Sequence, residues 1–481
     1  MRVFFITVLI FCMILFSAST ALCVDDIIII IDPTLKETPQ EVKKEKSKSL
    51  KDNINIRGFI QAKGATDAHN NPGNEHEHTF YNNARLEGKW TFEASKNYIF
   101  ASIDSEYLWF GPYNDEDDYD FDLFEGYIFW AKKYVDLTVG KQVIRWGKTD
   151  QISPVDNINS QDLREFIVPD YEDRKIPNWL ARLRLFYNKY TVEGVYIPFF
   201  EPSRVDYFGT DWAVYQHLKE DVQDSDLLPN AFKGYVKGRY VNKNTPAKTF
   251  ENGDWGIRLL RTISNWDLGL SYLYSWEDLP CYKSFPIKNL ILAGSTSSNS
   301  LVSALAGTIN ANEDIEVEYR RQHIAGFEFE TTVKDFGFRG EAAYFDKQSF
   351  LTNNLTSIRK IVYHYVLGVD YSGKNDWYIN IQFSHQIIKN YDSSILYFER
   401  NNSSLNGEIS KEFWEGYFEA ELKYNFALNQ NSFYLSPSII CSYIPNLDIT
   451  LGLNIFEGDT DTLMGLYDAN DQVYIDFKYH F

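Results

Sequence analysis

Val473-Tyr474-Ile475-Asp476-Phe477-Lys478-Tyr479-His480-Phe481 forms the last stretch of the sequence, and its pattern decides the fold class. Val473, Ile475, Phe477, Tyr479 and Phe481 fall in one phase, while Asp476, Lys478 and His480 fall in the other. A strand turns successive side chains to opposite faces, so this period-two pattern makes one apolar face and one polar face. The pattern recurs upstream. Leu447, Ile449, Leu451, Leu453 and Ile455 alternate with Asp448, Thr450, Gly452 and Asn454. Phe418, Ala420, Leu422, Tyr424 and Phe426 alternate with Glu419, Glu421, Lys423 and Asn425, and Trp377 to Ser384 behaves likewise. Soluble sandwiches alternate too. Segment length separates the cases, because these runs approach or exceed the ~9–11 residues that cross a bilayer, whereas soluble strands average ~5–6.

Composition agrees with a wall that is apolar outside and polar inside. The chain has 481 residues, of which 11 Trp, 33 Tyr and 35 Phe make up 16%. Mean hydropathy is −0.36, too low for a bundle of membrane-spanning helices. A net charge of −20 argues against a nucleic-acid binder, and the 44% hydrophobic content argues against global disorder. Tight turns such as Ser95-Asn97, Ser264-Asn265 and Pro445-Asn446 alternate with long polar loops at 69–78, 114–118 and 201–253. The terminal Phe481 resembles the ending by which outer-membrane barrels are recognised by their assembly machinery, with Phe477, Tyr479 and Phe481 as the signal. The expected fold is therefore all-β: a single transmembrane antiparallel β-barrel of 16–18 strands with long extracellular loops and short periplasmic turns. Seventeen strands can be read directly, including 314–334 and 411–427 as single strands. Both chain ends facing the periplasm require an even number, which favours 18, with Ser393–Arg400 and Phe232–Val241 as candidates for a missed strand.

The first residues give an address. Met1-Arg2, the apolar run Val3–Phe16 and the small residues Ser17–Ala21 read as a cleaved secretory signal peptide over 1–23. Cleavage after Ala21 or after Cys23 fits, and the bulky Leu22 disfavours lipidation of Cys23. Residues 24–53 read as a charged periplasmic tail and 54–481 as the barrel, placing the mature protein in the bacterial outer membrane. Cys281 and Cys441 remain if cleavage follows Cys23, enough for one disulfide and no framework.

The most distinctive segment runs Gly140-Lys141-Gln142-Val143-Ile144-Arg145-Trp146-Gly147-Lys148, then through Asp150, Pro154, Asp156, Asn157, Asn159, Asp162 and Arg164, with Pro169, Arg174 and Pro177 downstream. A strand ends at Trp146 and enters a loop whose Asp and Asn side chains can hold a compact turn. A further Pro198-Phe199, then Pro202-Ser203, follows the next strand pair. This order resembles an uncharacterised proteobacterial family of porin-like outer-membrane barrels, domain-of-unknown-function family 1302. The match rests on Gly140, Gln142, Trp146, Gly147, Pro154, Asp156 and Asn157, and is read as spanning Ile54 to Phe481 without the charged tail. The resemblance implies an outer-membrane barrel and, by association, partnership with an inner-membrane exporter of the resistance-nodulation-division type. On its own residues, Arg145 to Arg164 is expected either to brace the barrel from inside or to gate it.

Arg182, Arg184, Arg258, Arg339 and Lys423 share the polar phase with Asp104, Glu106, Glu316, Glu318, Glu341, Glu419 and Glu421. Opposed charges on a lumen wall either select permeants or pair to fill the lumen, and seven carboxylates against five basic groups would favour cations. Other clusters carry less. Asn114–Asp118 lacks the glycine-spaced loop of a calcium site, His69, His76 and His78 lack a fourth ligand, and neighbours Ser384 and His385 point to opposite faces. Catalytic motifs such as G-x-S-x-G and H-E-x-x-H do not occur, and neither a cofactor nor a metal is expected. The expected role is passage of small molecules across the outer membrane, in contact with membrane lipid and lipopolysaccharide. The rivals are a barrel-anchored surface-binding protein and a barrel hydrolase.

Overall fold

The computed structural model describes residues 53–481 apart from 69–77, 93–95, 112–115, 287–306 and the single positions 217, 218, 220, 221, 224, 225, 227, 310, 312 and 374. The signal peptide and all but the last residue of the tail lie outside the described residues, as do His69, His76, Asn114 and Asp115.

Strands β1 to β7 cover Ile54–Asp67, His78–Thr91, Tyr98–Gly111, Glu116–Lys132, Val135–Gln142, Asn178–Tyr187 and Tyr190–Ile197. Strands β8 to β14 cover Val241–Asn244, Asp254–Ile263, Trp266–Trp276, Cys281–Ser284, Ile315–Glu318, Arg321–Val333 and Phe336–Leu351. Strands β15 to β21 cover Ser357–Ser372, Trp377–Ile388, Asn401–Phe413, Phe418–Ala427, Ser432–Ile444, Leu447–Glu457 and Gln472–His480. Eighteen of them, all but β8, β11 and β12, form one antiparallel sheet in chain order. β21 returns to β1, with Ala62 opposite Phe477 and Gly64 opposite Ile475, so the sheet closes on itself. Phe481 and Gly58 exchange backbone hydrogen bonds of 2.9 and 3.0 Å at the seam. Closure leaves no unpaired sheet edge, the condition for backbone to span lipid.

The wall is inverted relative to a soluble protein. Trp179, Leu183, Leu185 and Tyr187 of β6 are exposed, the last at 73%, while Leu180 between them is buried. Trp255, Ile257 and Leu259 of β9 face out while Asp254 and Arg258 are buried. Leu270, Leu367, Ile439 and Leu451 continue this apolar exterior. Trp90, Trp130, Tyr134, Trp266, Trp377, Trp414 and Tyr479 ring the rim at which β1 starts and β21 ends, as aromatic girdles do at a membrane interface. The protein is a transmembrane β-barrel. Turns on that rim are tight, and Asn188, Ser264, Lys334 and Asn446 take the left-handed φ that two-residue hairpins demand.

Three sequence readings need correction. The missed strand is β17, which neither candidate segment contained. Its outward positions Ser403, Leu405, Gly407, Ile409 and Lys411 carry too little apolar character to show the alternation. The stretch 411–427 is thus the end of β17, a turn and β18. Phe232–Val241 holds the helix α1 (Asn230–Lys237) and the start of β8. The stretch 314–334 divides into β12 and β13, and β12 belongs to a small separate sheet with β11 and a parallel β8. Glu316 and Glu318 therefore stand outside the barrel wall, paired with Lys283 and Arg320. Their alternation is genuine, but it belongs to another sheet. Cys281 and Cys441 are both unbonded.

The largest apolar cluster sits inside the barrel. Ile144, Trp146, Val155 and Ile158, from the 35 residues joining β5 to β6, pack on Leu180, Val195, Ile197, Leu273, Ile324, Ala343 and Phe345 of the wall. Trp146 is 1% exposed. Burying side chains of this size is worth ~1.5–3 kcal/mol each, which offsets part of the entropy lost in ordering a long loop.

Candidate functional site

The loop 143–177 enters the lumen because its own polar side chains close it into a compact unit. Asn159 accepts from the Ile144 N–H at 2.9 Å and donates to the Gln142 and Ile176 carbonyls, tying the loop's two ends together. Asp156 accepts from the Trp146 N–H at 3.0 Å, the Tyr171 hydroxyl at 3.1 Å and the Lys175 ammonium. Burial raises the Asp156 pKa, and Lys175 and the Trp146 N–H only partly oppose it. Trp146 donates its indole N–H to Glu193 at 2.6 Å, and Arg182 holds the second oxygen of Glu193. Asn157 donates to the Pro154 carbonyl, and Arg145 pairs with Glu172.

One wall carboxylate fixes the loop across the pore. Glu341 of β14 accepts from the Thr149 N–H (2.7 Å), the Val155 N–H (3.1 Å), the Thr149 hydroxyl (2.8 Å) and the Ser153 hydroxyl (2.8 Å), and from the Lys148 N–H. Gly147 allows this approach. Its φ is +103°, and a Cβ there would stand 2.6 Å from a Glu341 oxygen. Beside it, Asp150 accepts from Arg339 at 2.9 Å, Asn380 at 2.8 Å and Gln382 at 2.6 Å, and Lys148 pairs with Glu330.

On the opposite side Arg164 bonds three carboxylates, Glu106, Asp118 and Asp162, each at 2.6 Å. Burial works against its charge, but Asp162 and Glu106 outweigh that and lift its pKa above the ordinary arginine value. Arg85–Asp104, Arg184–Asp136 and Arg258–Glu328 pair along the wall, and Glu419 lies in register with Glu412. Of the twelve lumen charges named from the sequence, all but Glu316 and Glu318 occupy the inward phase of wall strands. The count favouring cations disappears with those two, leaving five carboxylates against five basic groups. Sequence reasoning missed Glu193, Lys175 and Asp170. Glu193 did leave a signal, as the one charged residue in its strand.

The loop leaves two cavities in the lumen, of about 390 and 430 Å³. The first lies against β1–β5 and β18–β21 and is lined by ten acidic and nine basic side chains. Val168, Pro169, Asp170 and Arg174 of the loop and Lys423 of the wall line both cavities, so these residues form the boundary the two cavities share. Lys423 is held by Asp170 at 2.7 Å and Glu421 at 3.3 Å. Arg174 is buried and sits over the Tyr171 ring, 5.6 Å from its centroid. Burial lowers the Arg174 pKa, with Tyr171 and Asp170 offsetting part of the effect.

The family model described as "Protein of unknown function (DUF1302)" matches residues 38–481. The chain belongs to the DUF1302 family. The match begins inside the charged tail, so the tail's second half is part of the DUF1302 pattern, contrary to the sequence reading. No curated protein matches the chain. Among solved structures, Acinetobacter baumannii OccAB4 is 10% identical with a TM-score of 0.47, covering 89% of this chain and 98% of its own. Pseudomonas aeruginosa OccK9 (OpdG) is 8% identical with a TM-score of 0.48, over 90% and 99%. The outer membrane channel DcaP of Acinetobacter baumannii is 8% identical with a TM-score of 0.40, over 89% and 97%.

Ser384, considered with His385 from sequence, bonds instead to His364 of the adjacent strand at 2.8 Å, while His385 bonds to Ser403. Among the described residues neither pair has a carboxylate bonded to its imidazole, so neither has the third member of a hydrolytic triad.

Proposed function

We propose that this DUF1302 protein is a porin-like channel that passes small hydrophilic molecules across the outer membrane, with loop 143–177 as its constriction. The observation that carries the reading is the pair of lumen cavities inside a closed barrel, which share Asp170, Arg174 and Lys423 as lining; this shared boundary is taken as the passage between them. A loop fixed at Glu341, Asp150 and Arg164 narrows the pore without mobile parts, and its charges select what passes. The chain reaches the membrane by a cleaved signal peptide and the barrel-assembly machinery, which reads Phe477, Tyr479 and Phe481. Partnership with an inner-membrane exporter rests on the family resemblance alone.

Single-channel recording on the purified protein in planar bilayers tests the path. Lys423→Trp, which fills the passage from the wall side, is expected to cut conductance severalfold while heat-modifiable migration stays native. Unchanged current in that variant would place the path elsewhere. A second reading, a surface-binding protein, is favoured by the small sheet and the Tyr207, Tyr215, Phe285, Ile315 and Val317 cluster built from the long outer loops. Bilayers that stay silent with the native chain would support it.

A further inference from the structure

The passage holds two cations in different situations. The Lys423 ammonium is neutralised where it stands, by Asp170 and Glu421. Arg174 is 7% exposed, its Nε has no hydrogen-bond partner, and its guanidinium forms no ion pair among the described residues. It sits over the Tyr171 ring, and the neighbouring Asp170 carboxylate is bonded to Lys423 instead. A buried guanidinium is normally retained with a carboxylate beside it, because removing that charge from water without a partner is costly. Elsewhere in this lumen the rule is kept: Arg85, Arg164, Arg182, Arg184, Arg258 and Arg339 each have one.

We propose that Arg174 is the binding site for the carboxylate of a permeating organic acid. This rests on the channel reading and names the class of solute. The guanidinium is planar, and its two terminal nitrogens, neither of them bonded or fully buried, offer two parallel donors to one carboxylate. Arg174 lines both cavities, so a solute held there sits midway along the path. Asp170 borders the same passage with its side chain 58% exposed, and Glu421 stands behind Lys423. Those carboxylates repel a second negative charge, so the site accepts a monoanion and disfavours a phosphate dianion. Tyr171 supplies an aromatic face next to the anchored group.

The test uses the full-length protein in planar bilayers in potassium chloride, with sodium benzoate added to one side and inorganic phosphate in a separate arm. Benzoate is expected to interrupt the current, and Arg174→Met to weaken that block at least tenfold. Arg174→Lys, which keeps the charge and loses the fork, should fall between. Lys283→Gln, on the small outer sheet, should be blocked like the native chain. Block undiminished in Arg174→Met overturns the site, and phosphate blocking as strongly as benzoate overturns the carboxylate assignment. A structural arginine would give a different signature, because its loss would lower the thermal midpoint. Arg174→Met is expected to keep or raise that midpoint, and a clear fall would also overturn the proposal. Silent bilayers would refute the channel reading instead. Calorimetric benzoate binding to native and Arg174→Met protein in detergent then decides the site by itself.

Discussion

Glu341 satisfies donors that belong to a different part of the chain, and that makes it the most consequential single residue in the lumen. Its two oxygens receive backbone N–H groups of Lys148, Thr149 and Val155 and the hydroxyls of Thr149 and Ser153. Hydrogen bonds to a charged group are worth ~1.5–3 kcal/mol each, and an amide in the same place turns one acceptor into a donor facing donors. Glu341→Gln is therefore expected to free the Gly147–Val155 turn, at a cost of ~2–4 kcal/mol. Single-channel traces of the variant should show higher and noisier conductance. A native conductance with native noise would mean that the apolar anchor at Trp146 and Ile158 holds the loop without Glu341.

At the scale of elements, the last strand and the inward loop show what the sequence could and could not tell. β21 has to pair on both sides, with β20 and with β1, and Phe481 reaches across the seam to Gly58. Phe481→Ser removes the aromatic end and is expected to reduce the membrane-inserted, heat-modifiable fraction severalfold. Undiminished yield would separate the assembly signal from the terminal residue. Alternation made β21, β20 and β18 legible, because each keeps apolar residues in one phase from end to end. It failed at β17, whose outward positions are Ser, Gly and Lys as often as Leu or Ile, so the period is present without the contrast. It also failed at β12, where a short sheet on the outer loops copies the period of the wall. The loop's internal ties follow from local Asp and Asn spacing and could be anticipated in kind. Arg174 stood in the motif, but its unpartnered state depends on which side chains distant strands bring to one point. Register across a lumen leaves no trace in local sequence.

For the molecule as a whole, net charge and pore charge are separate quantities. The chain carries −20, but the first lumen cavity, against β1–β5 and β18–β21, is lined by ten acidic and nine basic groups, most of them paired at contact distance. Selectivity follows the field inside the pore, which paired charges cancel over a few ångströms. Potassium and chloride are expected to permeate with a ratio within about twofold of unity, the residue of mouth charges screened beyond ~8 Å in physiological salt. A reversal potential showing strong cation selectivity would mean that the outer loops, and not the constriction, set the field.

Closure of β21 on β1 also governs how the barrel must form. All other neighbours in the sheet follow one another along the chain, many across a two-residue turn, so their pairing costs little loop entropy. The closing ladder alone joins positions more than four hundred residues apart, as Gln61 and Lys478 are. Among the wall ladders contact order is thus low everywhere except at one seam, while the lumen loop's ties to Glu341 and Lys423 wait on strands about two hundred residues away, and a chain of this design can lay down hairpins early and in any sequence. The seam is expected to form last, and until it does the two terminal strands are the unpaired edges that membrane or machinery has to shelter.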